Sequence, residues 1–170
     1  PAAERYTIMC AQQEGFFNNM TAFDDHAAGT MLRAAFCSEA NFSSWADPRG
    51  IELEVSRIMY PAPRLQADEL TGGIFHYGNR FFLQVIDGPR EAVEAIYRRN
   101  CDDVRHKNTE LLVVEAIDQR MFPENSMSYV SMRGQLLELL GRYDIAEFNP
   151  YRITSQILDE FLQMYAEKHR

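Results

Sequence analysis

A chain of 170 residues that is 46% hydrophobic carries enough apolar material for one domain with a buried core. Its formal net charge of −8 argues against a nucleic-acid-binding surface, which needs clustered cations to meet phosphate. No apolar run is long enough to span a bilayer, and neither the three scattered cysteines (Cys10, Cys37, Cys101) nor the four histidines show metal-ligand spacing. We therefore expect no metal, no nucleic-acid partner and no membrane. An odd, dispersed set of cysteines suggests a reducing compartment, the cytoplasm, with no disulfide framework. The first residues lack the basic-then-apolar layout of a secretory leader, although a start at Pro1 leaves a removed leader open.

Residues 1–30 have no clear period and read as an extension, with one short helix around residues 12–20. Residues 31–38 (MLRAAFCS) form a first strand that ends at polar Ser38, followed by the turn chemistry of Asp47-Pro48-Arg49-Gly50. Residues 51–60 fit a short helix, with Val55, Ile58 and Met59 on one face and Pro61 as its stop. The stretch LTGGIFHYGNRFFLQVIDG then reads as a hairpin turning at Tyr77-Gly78-Asn79-Arg80, where Gly and Asn tolerate positive φ. Gln84 stands out in it, because an amide inside an apolar strand costs about 1–3 kcal/mol unless its hydrogen bonds are made.

Pro89 suits the first position of a helix, and Ala92, Val93, Ile96 and Tyr97 follow at helical spacing to about Asp103. Asp87, Glu91 and Glu94 are expected at the start and on the solvated side of that helix, complementing its dipole. The cluster Arg98, Arg99, Arg105, His106 and Lys107 reads as a solvated helix end and turn. Residues 110–116 and 127–132 form two further strands, and helices are expected over 135–142 and 152–167. The stripe Ile153, Ile157, Phe161, Tyr165 and the run Leu136, Leu137, Leu139, Leu140 require an apolar surface to cover.

Strand, helix, hairpin, helix, strand, strand, with right-handed crossovers, describes an α+β ferredoxin-like sandwich (βαββαββ), a mixed sheet with two helices on one face. The C-terminal helices are left with the other face, or with a second copy of the chain. The divisions expected are residues 1–30, 31–132 and 133–170. No nucleophile is paired with a base in this pattern, so we expect no enzyme.

The motifs Leu70-Thr71-Gly72, Phe82-x-Gln84-x-Ile86-Asp87-Gly88-Pro89, Ala92-Val93-x-x-x-Tyr97, Arg105-His106 and Phe122-Pro123-x-x-x-Met127 resemble the BLUF domain, a flavin-binding blue-light sensor. The resemblance covers residues 31–132. It implies a pocket between the two helices that holds the isoalloxazine ring of FAD. In the family, a Tyr on the first strand, a Gln on the third and a Met on the fifth make the photochemical cluster. The Tyr gives an electron and a proton to flavin, and the signal leaves through the last strand and the C-terminal helices. Carried over, the Gln is Gln84, the Met is Met127, and Arg105 and His106 lie near the flavin.

The chain departs from that pattern where the chemistry is concentrated. The tyrosine position is Phe36, which has no hydroxyl. The Asn that binds the flavin carbonyl edge is Leu65, approached through Pro61-Ala62-Pro63, and the Trp often found before the Met is Asn125. The resemblance therefore implies a BLUF-like regulatory domain working through a protein partner or a homodimer, with the photocycle lost and FAD weakly held or absent. The alternative it leaves is a working FAD photoreceptor whose donor is Trp45 or Tyr77.

Overall fold

Residues 31–40 and 81–89 offer no polar face, so both strands must be covered on both sides, and the structure places them at the centre of a sheet. The computed structural model describes residues 6–7, 21–41, 70–124, 126–130 and 134–168. Its strands are β1 (Tyr6–Thr7), β2 (Met31–Ala40), β3 (Gly72–Gly78), β4 (Phe81–Pro89), β5 (His106–Ala116) and β6 (Ser126–Tyr129). They form one sheet in the order β1-β5-β2-β4-β3-β6, antiparallel throughout except for the parallel pair β3–β6. The helices are α1 (Arg90–Asp102), α2 (Gln135–Arg142) and α3 (Ser155–Lys168), the last preceded by a 3-10 turn at Pro150–Arg152.

This is the ferredoxin-like α+β arrangement with C-terminal helices. The helices expected over 12–20 and 51–60 lie outside the described residues. The described residues within 1–30 contribute to the sheet and the core. Tyr6–Thr7 pairs with Val113 and Val114 to add an edge strand, and a helical turn at 21–24 delivers Phe23 to the core. Two residues cannot show a period, so the strand had no signal in the sequence.

The hairpin closes as a two-residue turn with Asn79 at φ 46° and Arg80 at φ 66°. Both central residues of a type I′ turn are left-handed, and that twist matches the flanking strands. Gly78, expected to supply the positive φ, ends β3 instead. Pro89 likewise sits one residue earlier than expected, as the N-cap of α1 with φ −58°.

The two faces of the sheet build two cores. On one, Leu32, Ala34, Phe36, Ile86, Leu111 and Val114 meet Val93, Ile96 and Tyr97 of α1. On the other, Ala35, Ile74, Leu83, Val85 and Val113 meet Leu139 and Leu140 of α2 and Ile157, Leu158, Phe161 and Leu162 of α3. The C-terminal helices therefore cover the face that α1 leaves, and Ile153 and Tyr165 of the expected stripe pack there too. Leu137 is the exception on α2, at 47% exposed, and the Leu136 side chain lies outside the described residues. Between Ala35 and Phe36 the register with β5 shifts by one residue, at Leu112. This bulge lets Val113 and Leu111 face opposite cores.

Replacing Leu158, 2% exposed beneath α3, with Ala should cost about 2–4 kcal/mol in urea denaturation. Leu137→Ala should stay within about 0.5 kcal/mol. Equal costs would place the two helices differently from this packing.

Candidate functional site

Residues opposite one another in a sheet project from the same face. Register pairs Gln84 with Phe36 on one side and with Phe75 on the other, and continues to Leu111 and Tyr129. One row of side chains thus crosses the α1 face of the sheet, with Gln84 at its centre. Gln84 is 8% exposed, and its Oε1 has no hydrogen-bond partner among the described residues. Phe36 cannot supply one. Its ring meets the buried Tyr97 of α1 edge-on at 5.5 Å, and Tyr97 in turn contacts Phe23 at 5.8 Å.

Met127 lies on β6 opposite Gly73, and its methyl would stand 3.4 Å from a Cβ built on that glycine. It packs against the cluster of Ala40, Phe75 and Phe82, as Tyr77 also does. Tyr77 is on the same face, its ring 4.7 Å from Phe82, and burial pushes its phenol above the usual value against the opposing charge of Arg80. Leu65, Pro61-Ala62-Pro63, Trp45 and Asn125 lie outside the described residues.

Arg105 and His106 do not form a solvated turn. Arg105 Nε reaches both carboxylate oxygens of Asp103, at 2.9 and 3.0 Å. His106 is buried, with Nδ1 2.7 Å from Ser38 Oγ and its ring 4.6 Å from Phe82. Burial lowers its pKa to about 4, more than Asp103 raises it. Elsewhere in the basic cluster, Lys107 pairs with Glu39 at 3.3 Å and Arg98 with Glu94. Ser38 and His106 do pair a hydroxyl with an imidazole, contrary to expectation. Both are sealed from solvent, and an imidazole titrating near 4 is a weak base at neutral pH. This pair joins β2 to β5.

The largest departure from the sequence reading is Asp87. It was expected beside a helix start in solvent, but it is 0% exposed and accepts from Arg33 Nε at 2.8 Å and Nη2 at 2.7 Å. Glu91 is exposed and accepts from Gly29 N, while Glu94 is largely covered by Arg90 and Arg98. Also unforeseen, His76 is buried on the α3 side, its Nδ1 2.6 Å from Val130 O and its ring against Phe148. Burial lowers its pKa, and the Val130 carbonyl opposes the shift. A lone histidine in a strand carries no sequence signal for such a role. Among the described residues no three His, Cys, Asp or Glu side chains converge as a metal site, and no helix is long and apolar enough to cross a membrane.

Comparison with known proteins agrees with this geometry. The sequence model of the family "Sensors of blue-light using FAD" (BLUF) matches residues 31–128. Photoactivated adenylate cyclase subunit beta of Euglena gracilis is 33% identical over 72 residues, 42% of this chain and 8% of that protein. The blue light- and temperature-regulated antirepressor BluF of Escherichia coli is 34% identical over 70 residues, 41% of this chain and 17% of that one. The match therefore spans a small part of these relatives, and it is confined to the sensory module. Among solved structures, dark-state BlrB superposes with a TM-score of 0.59 at 25% identity, over 84% of this chain and 99% of that one. Photo-activated BlsA, at 22% identity, shares the fold with a TM-score of 0.66, over 80% of this chain and 94% of that one.

The two buried imidazoles predict a pH dependence. Both are neutral in the fold with lowered pKa values, so their stability is fully present above about pH 6.5. It is lost as pH falls, because the unfolded chain takes up protons that the folded chain refuses. By pH 5, above the range of ordinary carboxylates, His106 alone should remove about 2 kcal/mol. Urea midpoints at pH 7.5 and 5 test this, and His106→Gln should flatten the difference.

Proposed function

The chain belongs to the BLUF family, sensors of blue light using FAD, and from that premise we propose that it is a regulatory domain that has lost the photocycle. It holds FAD weakly or not at all and acts by contact with a protein partner or a second copy of itself. The observation that carries this reading is the pair Phe36–Gln84. The amide oxygen of Gln84 is buried without a partner among the described residues, directly across the ladder from a ring that has no hydroxyl.

The described residues fit FAD in part, and Phe36 offers its photochemistry no hydroxyl. A buried, unsatisfied amide is the kind of group that the polar edge of a flavin would meet. FAD, when bound, supplies blue-light absorption and accepts an electron. The proton and electron donor expected beside Gln84 is replaced by Phe36, whose surroundings are filled by Tyr97 and Phe23. Arg105 and His106 are engaged by Asp103 and Ser38. What remains is a scaffold whose surface and C-terminal helices can carry regulation. That one relative is an antirepressor supports such a role. The sealed Ser38–His106 pair supports no catalytic reading.

A second reading keeps a working photoreceptor with Tyr77 as donor, favoured by the position of that phenol on the face of Gln84. The two are separated by one spectrum. Protein prepared with FAD in excess should emerge colourless from gel filtration. Phe36→Tyr combined with Leu65→Asn should tighten FAD by about 10–100-fold, the effect of restoring one or two hydrogen bonds. Stoichiometric FAD in the wild type, with a reversible red shift under blue light that Tyr77→Phe abolishes, would establish the second reading.

A further inference from the structure

Asp87 is the one acidic side chain buried among the described residues, and it does more than neutralise Arg33. Its Oδ2 also accepts from the backbone N–H of Met121 at 2.6 Å and of Phe122 at 3.4 Å. These residues belong to the connection between β5 and β6. That connection lies directly on β3: a Cβ on Gly72 would stand 1.9 Å from Pro123 O and 2.8 Å from Phe122 O. Gly72 and Asp87 are register partners, so the carboxylate and the glycine act at one point.

Two things leave that point. Downstream, the chain enters β6, which has four residues and β3 as its neighbour in the sheet. A strand that short does not hold its own register, yet Met127 must sit opposite Gly73. Sideways, the Phe122 ring is buried beneath the Arg33 guanidinium, 5.8 Å from the ring centroid, and meets Tyr165 of α3 edge-on at 5.6 Å.

We propose that Asp87 is a positioning residue: by clamping Met121 and Phe122 it sets where β6 lays Met127 and where Phe122 receives α3. The carboxylate thereby ties the face that carries Gln84, on its own strand, to the C-terminal helix on the opposite face. Charge-assisted hydrogen bonds to backbone N–H are the strong kind, and a buried carboxylate has no alternative partner in solvent. Buried ion pairs contribute little net stability but can fix a register, and here the register fixed is that of β6. This holds whether or not flavin binds, so it does not rest on the reading above.

The test is residue-resolved hydrogen exchange and methyl NMR of Asp87→Asn and Phe122→Leu in the full chain. Asp87→Asn should speed exchange at Met121, Phe122 and Val130 by about tenfold or more, shift the Met127 methyl resonance and loosen α3 near Tyr165. Exchange in α1 at Ile96 and Tyr97 should be unchanged. Phe122→Leu keeps the backbone contacts to Asp87, so it should loosen α3 while leaving Met127 and the Met121 amide as they were. The proposal is overturned if Asp87→Asn accelerates α1 as much as β6, or leaves the Met127 methyl and α3 unmoved. Should Asp87→Asn fail to fold, Phe122→Leu decides: α3 unchanged, or Met127 disturbed along with α3, overturns it.

Discussion

From Phe82 to Gly88, strand β4 is out of water on both faces, because α1 covers one and the C-terminal helices cover the other. Every polar side chain on it must therefore be answered from within the protein. The strand carries two, and they are answered in opposite ways. Asp87 receives the Arg33 fork and two backbone N–H groups. Gln84, three residues earlier and on the other face, has an amide oxygen with no partner among the described residues. The first arrangement belongs to a settled structural element. The second leaves a buried acceptor across the ladder from a ring that has no hydroxyl.

Much of this architecture was legible because it rests on periodicity. Apolar runs located β2, β4 and β5, the spacing Ala92, Val93, Ile96, Tyr97 located α1, and the tail stripe announced an apolar surface to be covered, on the second sheet face or on a second copy. What escaped depends on contacts between distant residues. Asp87 precedes a helix and looks like a dipole complement. Only the register Arg33↔Asp87, which no local pattern encodes, puts it in the core. His106 follows an arginine in a turn and looks solvated, but its pairing with Ser38 spans 68 residues. The hairpin turn held in part, since Asn79 takes the positive φ that was expected of it, while Arg80 rather than Gly78 takes the other. For the site, the resemblance named Gln84, Phe36 and Met127, and register brings the first two face to face. It did not foresee Tyr97, whose ring fills the space over Phe36.

The bulge at Leu112 belongs with these long-range features. By adding one residue to β5 it keeps Leu111 in the row with Phe36 while turning Val113 toward α3. Removing that residue would exchange the two faces over half the strand. The bulge is one of two register shifts in the β2–β5 ladder, the other lying between Cys37 and Glu39, and bulges of this kind are common beside functional sites.

The nesting of the sheet also has a consequence in time. β2 emerges from synthesis well before its ladder partners, β4 and β5, which end at Pro89 and Ala116. The hairpin β3–β4 is the local unit, with a turn that pre-sets its twist, and hairpins of this kind close in microseconds. It forms with one long edge of β4 open, the edge β2 must find. Helix α3, which seals the second face, comes last. A nascent chain of this protein therefore passes through an interval with a two-sided apolar strand unpaired, and a later one with a finished sheet bare on one side. Those intervals, rather than the completed domain, are where edge-to-edge association with a sister chain has its opening, and where a chaperone has most to cover.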